Sequence, residues 1–492
     1  MESKLKIFEK YKFQILIIFA FSFLGILFYQ THSLISHDEA VYASRARLIL
    51  EENNWFTPFD GMHHKTIGSY WFTALSLKIF GFNEFGARFP SLIFSILSCY
   101  FLQKIYVLLN KNHKQKYIPI ILINSTPIWF IYSHYCSPDI LFVLINLIPI
   151  YFLLRIDNKE NFYQSNNVYI FFIGLFFSFG FFLRSFMQLF PLLSYSPYLL
   201  VKFLRLKKSQ KLFLFTGIFI GFIPLLLNLI LSLDKYGFES FIYLFRFASN
   251  KIVNDTEIRG FIFYPLTLIL LTLPSIVFLG RGALFVFKSF KAEEKLLLLA
   301  TPLIAIILLM ITSSNHIHYL LFIIPWTTIL SSIGIEVLIS KNKIDLISKI
   351  IFNIFLTLIS IILISSNLYI DLIPNISSNN FTLYRIFTIL FGISFLILSI
   401  LIFINLFKNK FITLSITSLS SLSICLSLFF LLGIINNPNK DFKLFLNQIQ
   451  VQNIVNKNNI FLIGTKENDK LNLLLKFYLP KYNYELENFS ES

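Results

Sequence analysis

Two carboxylates, Asp38 and Glu39, stand side by side one residue after His37. They open the stretch from Ser36 to Arg88, the one long polar interruption in the front half of the chain, which also carries His63, His64 and Lys65. Other unusual polar residues sit at the ends of apolar runs. These are Ser137, Pro138 and Asp139, then Arg184, then Arg246, Lys251, Asp255, Glu257 and Arg259, and finally Asn315, His316, His318 and Tyr319. A carboxylate beside several Lys and Arg groups suits a reaction that deprotonates a hydroxyl and expels a phosphate. The acid serves as general base, and the cations stabilise charge on the leaving group.

Each residue also has a plainer explanation. Asp38 and Glu39 suit the first turn of a helix, where the dipole favours negative charge. Lys65 and Arg88 fit the snorkelling of basic side chains at a membrane interface. Asp139 or Ser137 could cap a helix. His316 and His318, at i and i+2 with no third ligand, make a weak metal pattern, so no metal site is assigned. Cys99, Cys136 and Cys425 are too scattered for a metal or a disulfide framework. Trp55 and Trp71 read as interface belts rather than a sugar platform.

The elements that position these residues follow from composition. The chain has 492 residues, 56% hydrophobic and only 14% charged, with mean hydropathy +0.70. A soluble domain carries about 25% charged residues, so this is an all-α polytopic membrane protein. The net charge of +16 comes from short clusters between apolar runs, which are topology signals rather than a nucleic-acid surface. Thirteen apolar runs are long enough to cross a bilayer, near 13–30, 88–109, 117–134, 138–154, 168–184, 186–201, 211–232, 261–284, 294–312, 317–339, 346–369, 382–407 and 411–435. The first follows Lys4, Lys6, Lys10 and Lys12 without a small-x-small cleavage site and reads as a retained signal anchor. Pro191 and Pro197 leave 168–184 and 186–201 open to a broken or re-entrant arrangement.

Alternating from a cytoplasmic N-terminus, the inside loops are NKNHKQK, Arg155–Lys159, KFLRLKKSQK, Arg281–Lys295, SKNKIDLISK and FKNK. Nearly all are rich in Lys and Arg. The candidate residues then gather on the outer face, most of them in or beside the loop 31–87. Ala40, Ala43, Ala46, Leu48 and Leu50 predict a helix in that loop. Residues 1–435 form the membrane domain. Residues 436–492 carry no spanning segment and read as a small outer-face α/β appendage, with a strand-like run at Ile460–Gly464.

The order of these residues resembles the GT-C glycosyltransferases that use polyprenyl-phosphate sugars, in particular the group of the lipid A aminoarabinose transferases and protein O-mannosyltransferases (glycosyltransferase family 39 and its relatives). The resemblance lies in HDEAVYASRARLILEENNWFTP and KTIGSYWFTALSLKIFGFNEFGARFPSLIFSIL. Weaker likenesses are SPDILFVLINLIPIYFLL, GFFLRSFMQLFPLLSYSPYLL and SNHIHYLLFIIPWTTILSSIG. It covers about residues 10–335.

That resemblance implies a GT-C fold and an inner-membrane enzyme. The donor would be a polyprenyl-phosphate-linked sugar, and the acceptor a lipid A-like lipid, a glycan or a protein. It implies Asp38 as the catalytic acid with Glu39 its partner, and Lys65, Arg88 and Arg184 at the donor phosphate. Asp139, His318, Tyr319 and Arg259 would line the substrate site, with Arg246 standing as the alternative to Arg259. No cofactor is assigned from it, and a divalent cation stays open. The chain departs from the family pattern at His64-Lys65-Thr66-Ile67, where Glu-Lys-Pro-Pro is usual, and at Ser185, where Gly is usual. A transporter of lipid-linked sugars and a catalytically lapsed relative are the alternative readings.

Overall fold

The computed structural model describes residues 14–23, 33–35, 38–59, 65–110, 115–157, 166–239, 242, 246, 260–311, 316–340, 346–368, 381–405, 410–431, 433, 440–448 and 470–479. In chain order the helices are α1 (Gln14–Phe23), α2 (Asp38–Glu51), α3 (Gly68–Phe80), α4 (Glu84–Leu109), α5 (Ile118–Asn124), α6 (Pro127–Ser133) and α7 (Asp139–Asp157). Next come α8 (Asn166–Arg184), α9 (Leu189–Leu204), α10 (Lys208–Tyr236), α11 (Gly260–Thr272), α12 (Leu279–Ser289), α13 (Thr301–Ile311) and α14 (Ile324–Ser340). The chain closes with α15 (Leu346–Ser365), α16 (Phe381–Ile404), α17 (Lys410–Leu431), α18 (Lys440–Leu446) and α19 (Lys470–Tyr478). No strand occurs among the described residues. The strand expected at 460–464 lies outside them.

Each expected apolar run coincides with helix, but several are not continuous. Among the described residues eight helices are long and apolar enough to cross a membrane, and a ninth if the pair bent by 100° between Thr272 and Ser275 counts as one span. The run 117–134 is two buried short helices, because Pro127 lacks an N–H and Thr126 before it takes an extended backbone. The freed groups stay satisfied: Ser125 and Thr126 donate their hydroxyls to Leu122 O. Broken backbone at membrane depth is tolerated when protein covers it.

The apolar stretch Asn167–Leu204 resolves into two crossings. Arg184 pairs with Asp139, the first residue of α7, while Lys202 lies 2.5 Å from Asp157, its last. Nineteen residues separate the two ends by about 28 Å, so α9 returns across the bundle after α8 has climbed it. Packing against α10 agrees. Contacts of Gly217 with Phe171, Gly174 with Ile218 and Gly221 with Ser178 advance together along both helices, so α8 and α10 run parallel with α9 between them in sequence.

Those contacts explain the glycines. Lipid supplies no hydrophobic force between helices, so association relies on close packing, which small residues permit. A Cβ on Gly217 would stand 2.0 Å from Phe171 O. Gly217→Val is therefore expected to cost about 3 kcal/mol or more, read as a lower melting temperature in detergent. Gly280→Ala, where an added Cβ meets nothing within 4 Å, should leave the melt unchanged or slightly raised.

Candidate functional site

Helix α2 has the sequence logic of a two-faced element. Ala40, Ala43, Ala46 and Ile49 recur at helical spacing and are fully buried, packed with Tyr70, Ala74 and Leu77 of α3. Its first turn is fixed by Glu39. One carboxylate oxygen accepts from Arg88 Nε at 2.5 Å and from Cys136 N at 2.8 Å. The other accepts from Ile35 N at 2.9 Å and from Arg88 Nη2. Arg88 also donates to Ser33 O, and both side chains are 0% exposed. This is a forked ion pair sealed from solvent. Burial, then the Glu39 charge, push the neighbouring Cys136 thiol up, which keeps it protonated and inert.

The opposite end of α2 is held by the C-terminal segment. Arg47 donates to Phe477 O at 2.6 Å, and Leu473, Leu474 and Phe477 join the α2–α3 core. Tyr478 donates to Glu84 at 2.7 Å and accepts from Leu34 N at 2.9 Å, while Lys443 pairs with the same Glu84. Burial pulls the Lys443 ammonium below its usual range, and Glu84 pulls it back up.

A second group of charges meets beside α2. The Tyr42 hydroxyl accepts from Lys65 Nζ and from Arg184 Nη1, each at 3.2 Å, and Lys65 Nζ stands 4.8 Å from the Tyr42 ring centroid. Arg184 pairs in turn with Asp139. Ser137 takes the capping role by accepting from Asp139 N at 3.4 Å, which leaves the Asp139 carboxylate for Arg184. On the next turn of α2, Arg45 donates to Tyr70 OH at 3.1 Å.

Local backbone places Arg184. Helix α8 ends in a 3₁₀ turn at Ser185–Gln188, entered with Ser185 at φ +51°. Glycine adopts that left-handed backbone without cost, which gives a physical reason for the family's glycine at this position. The turn is tied to α7 by a reciprocal amide pair, Gln188 Nε2 to Asn146 Oδ1 at 2.9 Å and Asn146 Nδ2 to Gln188 Oε1 at 3.2 Å. It is tied to α3 by Ser69 Oγ donating to Leu183 O at 2.5 Å.

Asp139, Arg184, His318 and Tyr319 share a narrow cleft with Phe142, Phe190 and Phe322. The space between them is only about 10 Å³, the room of a single water. His318 lies against Tyr319 and stacks on His316. Among the described residues no group of three or more His, Cys, Asp or Glu is placed to hold a metal.

The expected residues thus divide. Lys65, Arg184 and Asp139 form one connected cluster, and His318 and Tyr319 join Asp139 and Arg184 in the cleft. Glu39 and Arg88 form a separate, sealed pair. Asp38 begins α2, but its side chain lies outside the described residues, as do His63, His64 and Arg259; Arg246 is exposed. Tyr42 and Arg45 are functional candidates that the sequence reading passed over. The available signal was spacing: positions 38, 42 and 45 share one helical face. No sequence signal marked the Asn146–Gln188 pair.

The architecture is the GT-C fold. Over 96% of its length the chain matches the crystal structure of ArnT from Cupriavidus metallidurans bound to undecaprenyl phosphate, with a TM-score of 0.73, 85% of that chain covered and 11% identity. The apo form of the same protein matches with a TM-score of 0.65 and 12% identity, with the same coverage. Residues 64–230 match the family described as dolichyl-phosphate-mannose-protein mannosyltransferase. The chain is also similar to two proteins named undecaprenyl phosphate-alpha-4-amino-4-deoxy-L-arabinose arabinosyl transferase. The one from Wigglesworthia glossinidia brevipalpis is 28% identical over 209 residues, 41% of this chain. The one from Yersinia enterocolitica is 28% identical over 167 residues, 32% of this chain. The chain spans about a third of the length of these relatives, 36% and 29% respectively.

Two expectations follow from the geometry. Arg88→Met leaves the Glu39 charge buried without its partner and should cost about 3–5 kcal/mol; the double variant Glu39→Gln/Arg88→Met should regain part of that in a denaturation cycle. Ser185→Gly relieves the left-handed serine and should raise stability by about 1 kcal/mol, read as a higher melting temperature.

Proposed function

We propose that this chain is an integral-membrane glycosyltransferase. It moves a sugar from a polyprenyl-phosphate carrier to an acceptor hydroxyl on a lipid A-like lipid, a glycan or a protein. The observation that carries the reading is the convergence of Lys65 and Arg184, from separate elements, on the Tyr42 hydroxyl. Two cations brought together in this way suit a phosphate group. The GT-C fold shared with an ArnT bound to undecaprenyl phosphate supports the same donor class.

In this mechanism Asp38 takes the proton from the acceptor hydroxyl. The resulting oxygen attacks the anomeric carbon from the face opposite the phosphate, and the carbon–oxygen bond to the phosphate breaks with inversion. Charge on the departing lipid phosphate is stabilised by Lys65 and Arg184. Asp139 aims Arg184, so it is a positioning residue, as are Glu39 and Arg88, which hold the helix that carries Asp38. His318, Tyr319 and, from its loop, Arg259 contact substrate.

The site end of the bundle faces the outer side of the plasma membrane, with the N-terminus in the cytoplasm. Supporting this, Lys202, Arg205 and Lys291 collect at the other end, as the positive-inside rule expects. Helices α18 and α19 then lie on the outer face, with α19 against α2. Lys65 and Arg184 supply the positive charge in this scheme, so EDTA should leave transfer unchanged.

The test uses purified protein, a radiolabelled polyprenyl-phosphate sugar and a membrane extract as acceptor source. Wild type should move label, and Asp38→Asn, Lys65→Ala and Arg184→Ala should each lose about 10²-fold or more while still folding. Normal transfer by Asp38→Asn overturns the base assignment. Binding of the lipid without transfer across a panel of donors overturns the transferase reading.

A further inference from the structure

At the end of the bundle opposite the site, α7, α9 and the helical turn Ala292–Lys295 enclose a cavity of about 210 Å³. One water needs roughly 10–15 Å³ on the same measure, so the space takes a ligand. Its lining carries three cations, Lys202, Arg205 and Lys291, and three acids, Asp157, Glu293 and Glu294. Lys202 is almost wholly buried and lies between Asp157 and Glu293, which also pairs with Arg205. Arg205 is 65% exposed at the rim. Tyr198 also lines the cavity. Its side chain is 1% exposed, and its hydroxyl has no hydrogen-bond partner among the described residues.

Three features specify the occupant. The lining is balanced in charge, so a net anion gains little, whereas a ligand with separated opposite charges matches both halves. The buried hydroxyl lacks a partner, and a ligand oxygen would provide one. The cavity lies at the last turns of the membrane-crossing helices α7 and α9, at head-group depth.

We propose that the cavity binds the phosphoethanolamine head group of a zwitterionic phospholipid. The phosphate meets Arg205, Lys291 and the Tyr198 hydroxyl. The primary ammonium donates to Asp157 and Glu294. A trimethylammonium group has no N–H to donate and fits this lining poorly. The inference rests only on the chain crossing a membrane and is independent of the transferase reading.

The experiment strips the full-length protein of lipid in detergent and adds back dioleoyl phosphatidylethanolamine, phosphatidylglycerol or phosphatidylcholine. Retained lipid is counted by native mass spectrometry, alongside the melting temperature. Phosphatidylethanolamine should be retained about tenfold over the other two, and Arg205→Ala and Tyr198→Phe should each erase most of that preference. Without lipid, Tyr198→Phe should melt no lower than wild type, since its hydroxyl bonds nothing among the described residues. Equal retention of phosphatidylglycerol, or an unchanged preference in both variants, overturns the proposal. A full thermal shift from soluble phosphoethanolamine alone overturns the lipid source.

Discussion

The arrangement of the site end depends on one buried ion pair. Glu39 and Arg88 exchange two hydrogen bonds at zero exposure, and the carboxylate takes two more from backbone amides at Ile35 and Cys136. Four separate stretches are joined there: the chain entering α2, α2 itself, α4, and the turn before α7. A charge pair out of water is stable only when its remaining lone pairs are satisfied, and here backbone amides satisfy them. The reward is geometric rather than energetic, because α2 cannot rotate or slide without breaking the fork. Tyr42 and Arg45 inherit their positions from it.

Helix α7 works as the central mast. It is the most enclosed of the long apolar helices, 83% buried over its apolar window, and it carries polar contacts at three heights. Asp139 holds Arg184 at one end, Asn146 holds Gln188 within the bundle, and Asp157 holds Lys202 at the other end. The acid at its start and Arg155 in its last turn also complement the helix dipole. The returning pair α8–α9 is thereby registered along its whole length, which fixes the height of Arg184 relative to Lys65.

Much of this was legible in the sequence, for reasons that can be named. Apolar length exposed the crossing segments, and Lys/Arg bias separated the two ends. Clustering of rare polar residues at one end grouped Lys65, Asp139, Arg184, His318 and Tyr319, which lie near one another in the structure. Continuity was legible only in part. Thr126-Pro127 breaks a run that hydropathy smooths over, whereas the reversal at Ser185 falls between the two runs, 168–184 and 186–201, that the sequence already separates. Nor could residue type tell a sealed ion pair from an exposed one: Glu39 is adjacent to Asp38 in sequence, yet α2 turns about 100° between them. Tyr42 escaped because a tyrosine in an aromatic-rich chain carries no distinction until two cations are found on its hydroxyl.

The contacts between α2 and the C-terminal helix have a consequence for how the protein is made. Leu34 with Tyr478 and Arg47 with Phe477 are separated by 444 and 430 positions in sequence. Membrane insertion proceeds from the N-terminus, so α2 emerges with its surface uncovered and stays so until the segment carrying Phe477 and Tyr478 has been synthesised. Such long-range closures come late because the loop entropy must be overcome first. The nascent chain therefore carries an incomplete site while the intervening helices are made. Completion of the site waits for α19, and a product truncated before it would insert its helices yet leave α2 uncovered.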